Sequence, residues 1–438
     1  MDMRAAKTEP TNLAPHPQRA RVLAEVHARP FTAIETPRRI LHFGFMTDPA
    51  AAATDQAELA DHCASLGLSG PPPGAKHHQV SFSGALLRWE SHSEFTTYTW
   101  EFDPEEGEGT LQPFQPTPDH LASPMSVVPQ PGPLLVAVDL HLVPQSAASA
   151  NPERIVGAIQ VAAAEAEGGA AMIVTDFQPD VHGFVRVLVV DRGMTPAQAG
   201  ALVQRVLEVE TYRTLALLGL PEAHRLGPAL RRIEAELPRL MDKMQTSDGL
   251  ETNRALLDRL TALAAELETG AAESLFRFGA TRAYDELVRL RLEAIGERPI
   301  PGLSSWSAFL ARRLAPAIRT CISTEERQAN LSSKLARAAD LLRTRVEIEV
   351  QNQNRDLLHT MNERGRVQLR LQQTVEGLSV AAISYYVASL AHLVLEGAHG
   401  AGVHVDPALG TAVVVPFALV GVAWVVRCIR QSHGDVHS

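Results

Sequence analysis

Two stretches near the C-terminal end constrain this chain more than anything else in it. Residues 378–395 (LSVAAISYYVASLAHLVL) and 408–426 (ALGTAVVVPFALVGVAWVV) contain no Asp, Glu, Lys or Arg. Each approaches the ~20 residues that a helix needs to cross a hydrocarbon core about 30 Å thick. A helix is stable in lipid because it satisfies its backbone polar groups internally. The flanks give a direction. Arg364, Arg366 and Arg370 precede the first run, and Arg427 and Arg430 follow the second. The connection, residues 396–407 (EGAHGAGVHVDP), has no Lys or Arg but carries Glu396 and Asp406. Positive charge is retained on the cytoplasmic side. The pattern therefore predicts a multi-pass hairpin in a bacterial inner membrane, with both termini cytoplasmic and the connection outside. Trp424 suits an interface, Pro416 a mid-span kink, and Gly410, Ala418 and Gly421 a close helix contact.

With 438 residues the chain is long enough for two or three domains. Its formal charge of -10 argues against a nucleic-acid surface, which needs a basic face to displace counterions. Cys63, Cys321 and Cys428 form no CxxC pair and suit a reducing compartment. The first twenty residues contain no apolar run of the kind that makes a signal peptide.

Periodicity divides the remainder. Residues 1–19 are expected to be disordered, and 19–28 to form a short helix ended by the turn at Arg29-Pro30. Strands are predicted at 38–47, 80–89, 95–102, 134–143, 171–176 and 183–191, from alternation and β-branched or aromatic content. Helical spacing covers 50–66, a turn covers 69–74, and the Glu-, Gly- and Pro-rich stretch 103–133 predicts a long exposed loop. Thr195 before Pro196 is an N-cap signature for a helix over 196–218. After Pro221 strand signals stop. Residues 222–297 are helical, as in Leu256, Leu260, Leu263 and Leu267, and Arg298 to Gly302 (RPIPG) breaks the pattern. Ser304 or Ser305 can cap the next helix. Residues 325–373 predict one helix roughly 70 Å long that runs on into the first apolar stretch. Its apolar residues recur every eleven positions: Leu335, Val346, Leu357 and Ala339, Val350, Met361. That period keeps a stripe nearly straight, to pack on other helices of the chain or on the same helix of another protomer. The expected architecture is an α+β (or α/β) cytoplasmic domain over 20–220, a helical bundle and stalk over 221–373, a transmembrane hairpin over 374–427, and a cytoplasmic tail over 428–438.

Candidate chemistry is sparse. His27, Arg29 and Pro30, followed by His42, could form an anion-holding acid–base site or a plain helix-to-strand turn. In the connection, Glu396, His399, His404 and Asp406 have the right types for cation attraction or metal ligation, or form a solvated turn. Ser379, Tyr386 and Ser389 are polar positions on one face of the first span and would face a pore. His392 lies a turn from the outer end. His77-His78 lacks further ligands at metal-site spacing. No HExxH, GxSxG, Walker A or GxGxxG arrangement is present.

Residues 25–45 (EVHARPFTAIETPRRILHFGF) and the segment running through LLRTRVEIEVQNQNRDLLHTMNERGR to TVEGLSVAAISYY resemble an uncharacterised bacterial family of membrane-anchored proteins. That resemblance implies a location and no activity. The layout is also similar to the CorA-type two-transmembrane magnesium channels, although Glu396-Gly397-Ala398-His399 stands where those have Gly-Met-Asn. The chain thus reads as a non-enzymatic, membrane-anchored assembly or interaction protein. Its partners would be the lipid bilayer and further copies of itself, and it would need no cofactor. The alternatives are a CorA-like divalent cation channel and a membrane-tethered enzyme using His27 and Arg29.

Overall fold

A computed structural model describes residues 32–82, 84–102, 125–126, 128–146, 160–401 and 406–434, with positions 14, 16–19, 22, 114 and 404. The chain divides into two compact units, one of residues 1–239 and 261–336, the other of 240–260 and 337–438.

The first unit is built on a nine-stranded sheet in the order β2-β3-β4-β1-β5-β8-β7-β6-β9. The strands are β1 (Arg38–Met46), β2 (His77–Phe82), β3 (Ala85–Ser91), β4 (Phe95–Phe102), β5 (Leu134–Pro144), β6 (Ala162–Ala166), β7 (Ala171–Pro179), β8 (Val185–Asp191) and β9 (Arg298–Pro299). Among the strands of the described residues, only β5 and β8 pair in parallel and every other neighbour is antiparallel. The mixed α and β expectation is met, with the balance on the antiparallel side.

Helices cover both faces. α1 (Pro49–Ser65) begins where Asp48 accepts a hydrogen bond from the Ala51 amide at 2.7 Å. It buries Leu59 and Cys63 against Leu41, Phe43, Leu87, Trp89, Tyr98 and Trp100. α2 (Pro196–Leu217) starts with the expected cap: the Thr195 hydroxyl accepts from the Gln198 backbone N–H, and Gln198 Oε1 accepts from the Thr195 backbone N–H. Its Leu202, Val203 and Val206 cover the other face, with Ile40, Val138, Leu140 and Val187 beneath them.

Three long helices follow: α3 (Gly219–Thr246), α4 (Leu250–Ile295) and α5 (Trp306–Gly400), then α6 (Pro407–Gly434). α3 starts two residues ahead of Pro221, and the 222–297 stretch is two helices separated at residues 247–249. Ser305 is the cap of α5, accepting from the Ala308 amide at 3.2 Å. The 95-residue α5 includes the expected long helix and the first apolar run without a break. In the second unit Leu240, Met244, Leu256, Leu260, Ala338 and Leu342 are buried, and Arg345 donates to the Met244 carbonyl.

Several expectations change. The run 80–89 is not one strand but the end of β2, a turn, and β3. Gly84 takes φ +86° there, a conformation glycine adopts without a Cβ clash. β6, of sequence AAAEA, carried no strand signal because Ala favours helix. Burial on both faces decides its state, with Ala162, Ala163 and Ala164 fully enclosed. Arg298 and Pro299, read as a breaker, pair with β6. Most of 103–133 lies outside the described residues, but Met125 and Val128 are buried in the α1-side core rather than exposed. The eleven-residue stripe is covered only in part. Leu335 is buried and Val346 half-buried, while Leu357 and Met361 stand exposed at 61% and 65%.

Candidate functional site

His27, Arg29 and Pro30 lie outside the described residues. Ser379, Tyr386 and Ser389 sit on the apolar end of α5 and are exposed. The connection is shorter than expected, because α5 runs on to Gly400. Glu396 and His399 are therefore helical, whereas His404 and Asp406 precede α6, where Asp406 caps the helix by accepting from the Ala408 amide at 3.0 Å. Among the described residues no three His, Cys, Asp or Glu side chains cluster as metal ligands. The two apolar helices do touch. Thr411 donates to the Pro407 carbonyl at 2.6 Å, so its oxygen is left to accept from His392 Nδ1 at 2.9 Å. A Cβ on Gly410 would come within 2.8 Å of Leu395 Cδ1, which explains a glycine at this crossing. Nothing lies within 4 Å of a Cβ built on Gly421.

A buried polar site of the first unit lies between the sheet and α2. Strand alternation sends Ile40, His42 and Gly44 to the α2 side. Register aligns His42 with Thr99, and Thr99 with Arg88, in a polar row across β1, β4 and β3. α2 presents Gln204, Leu207, Glu208, Thr211 and Tyr212 over this row, and the two surfaces border a half-open cavity of about 30 Å³.

His42 is fully bonded within this site. Thr211 donates to the Leu207 carbonyl at 2.8 Å, so Thr211 accepts from His42 Nε2 at 3.0 Å. Nδ1 then accepts from Thr99 at 2.8 Å. That assignment makes the imidazole neutral with its proton on Nε2. Burial, aided by the Arg88 charge, pushes its pKa down to about 3. The unfolded chain protonates His42 near its ordinary 6.5, whereas the folded chain refuses the proton until about pH 3. Stability should therefore fall as pH drops through that window, by up to about 1.4 kcal/mol per pH unit from this residue. Chemical denaturation at pH 7, 5.5 and 4 should show the His42→Gln variant losing less stability over the range than the parent. An equal loss in both would refute the assignment.

Arg88 and Glu101 face each other at 3.9 Å, both nearly buried. Burial raises the Glu101 carboxyl above its usual range, against the pull of Arg88 and Arg38. On the opposite face Arg39 forms a two-pronged bond with Asp139 at 2.9 and 3.0 Å, and His141 lies 3.2 Å from the same carboxylate. Burial opposes ionisation there, but the bonds from His141 and Arg39 prevail and hold Asp139 low.

Sequence reading singled out His42 but none of Arg88, Thr97, Thr99, Gln204 or Thr211. The available signal was the run Thr97, Thr99, Glu101 at a spacing of two. Alternation of that kind ordinarily marks a solvent face, and only strand pairing reveals that it is covered.

No curated protein and no solved structure matches the chain, and no comparison supports the likeness to the CorA-type channels. Residues 14–433 match the model of a family described as a protein of unknown function (DUF3422), and the chain, covered almost end to end by that model, belongs to this family.

Proposed function

We propose that this is a membrane-anchored assembly protein without enzymatic activity. α5 and α6 enter the bacterial inner membrane as a hairpin, and both termini lie in the cytoplasm. The observation that carries the reading is the pair of helices long and apolar enough to cross a membrane, with apolar windows almost wholly exposed. A soluble core helix would bury such a surface. Arginines flank the far ends of both runs, and the connection lacks Lys and Arg. The assembly half of the reading rests on residues 351–375 of α5, every one of which is exposed. Leu357, Leu358, Met361, Leu369 and Leu371 are among them. Anchored copies share one orientation, so this stretch would meet its own counterpart side by side. That is the arrangement in which an apolar stripe is buried by self-association.

Cys428 offers a direct test, since it is exposed just after the second apolar run while Cys63 and Cys321 are buried. A membrane-impermeant maleimide should label Cys428 in inside-out vesicles and not in intact spheroplasts, with Cys428→Ser as the blank. Labelling of intact spheroplasts would overturn the topology. Cross-linking in native membranes should yield discrete oligomers; a monomer would remove the assembly role. A pentamer with cation conductance would instead favour the channel, with Ser379, Tyr386 and Ser389 lining the pore and the carboxylates of Glu396 and Asp406 concentrating a divalent cation at its mouth.

A further inference from the structure

Three buried polar atoms without partners belong to residues that line the cavity under α2. Arg88 Nε, Thr97 Oγ1 and Gln204 Oε1 have no hydrogen-bond partner among the described residues, and all three side chains line the same space. Arg88 is 4% exposed and Thr97 2%. Orphaned buried groups of this kind call for an occupant. Their chemistry specifies it. Arg88 can only donate, and the Thr97 hydroxyl can donate. Gln204 Oε1 can only accept, because the Nε2 of that amide is committed to Glu208 at 3.0 Å. Neighbouring groups do not relieve them. His42 spends both nitrogens on Thr99 and Thr211, and Glu101 at 3.9 Å is beyond hydrogen-bond reach of Arg88.

We propose that this cavity binds the carboxylate end of a small amino or hydroxy acid. Arg88 and Thr97 donate to the carboxylate, a pairing that guanidinium geometry favours. Gln204 Oε1 accepts from the ammonium or hydroxyl on the adjoining carbon. The volume of about 30 Å³ exceeds what one water requires, and suits a planar three-atom group. Glu90 and Glu208 also line the space, which disfavours a second anionic group on the ligand. Phe95, Leu207 and Tyr212 supply apolar contact for its carbon skeleton.

The test is calorimetric titration of the full-length protein in detergent with glycine, glycolate, propionate and methylamine. Glycine or glycolate should bind saturably. Propionate, which lacks the adjoining donor, and methylamine, which lacks the carboxylate, should bind at least about tenfold more weakly, the usual consequence of one buried group left unpaired. Arg88→Gln should abolish binding. The near-isosteric Thr97→Val should weaken it by about tenfold and guards against Arg88→Gln simply failing to fold. Absence of saturable binding to the folded parent, or parental affinity in Thr97→Val, would overturn the proposal. Neither result bears on the membrane hairpin, so the two readings fail separately.

Discussion

Replacing Asp55 by alanine is expected to cost the sheet unit about 4 kcal/mol of stability. Asp55 comes from α1 and is 1% exposed. It accepts from the Tyr98 hydroxyl at 2.6 Å and from Trp89 Nε1 at 2.7 Å. Both donors belong to fully enclosed aromatic side chains of the sheet. Alanine would leave two buried donors without acceptors, each costing about 1–3 kcal/mol, and a void besides. Burial, and then Asp55 itself, push the Tyr98 phenol upward, which keeps it protonated and donating. Asp55→Asn keeps one acceptor and removes a buried charge, so it should cost less than half as much. Denaturant titration of the two variants beside the parent decides the point, and equal losses would show that the bonds contribute little. A pH arm follows from the same geometry. Burial raises the Asp55 carboxyl, against the bonds from Tyr98 and Trp89. The folded state therefore holds this proton to higher pH than the unfolded state, and the residue's contribution declines as pH rises from the ordinary carboxylate range through the raised value. Asn should abolish that slope.

Placing arginine at Phe417 is expected to cost about 3 kcal/mol of membrane insertion, roughly a hundredfold in the ratio of inserted to extracted protein. Phe417 lies midway along the second apolar run and is 75% exposed. In a soluble fold, a substitution at so exposed a position would stay within about 0.5 kcal/mol. The two readings therefore differ by several kilocalories at one residue. Alkaline extraction of membranes should leave the parent in the pellet and release a substantial share of Phe417→Arg. Retention of both, or release of both, would contradict the bilayer placement. Phe417→Leu controls for the loss of the ring.

What could be read in the chain alone followed from local physics. β1, β4, β5, β8 and the cap of α2 rest on alternation, on β-branched content or on side chains bonding to nearby amides, and they survive with bounds shifted by at most two residues. The elements that were missed depend on pairing and packing partners rather than on their own propensity. The Ala-rich β6 has helix propensity and becomes a strand because β7 and β9 flank it. The stretch 80–89 turns back on itself because β3 finds β4. Met125 and Val128, in a polar-looking loop, fill space beside α1. The candidate site divides in the same way. His42 was visible as a histidine in a strand, but its role as a neutral, doubly bonded base comes from Thr99 and Thr211, residues 57 and 169 positions away.

By itself, then, the sequence determined that the chain carries two charge-free helices of membrane-spanning length, joined by a connection without Lys or Arg. Length, hydropathy and flanking charge act residue by residue and need no tertiary contact. Tertiary structure alone decided that Arg88, Thr97 and Gln204 line one cavity, and that Asp55 holds two aromatic donors. Strand register and the docking of α2 are collective choices, made by the burial of the whole sheet, and they bring together polar groups whose separation along the chain conceals any relation.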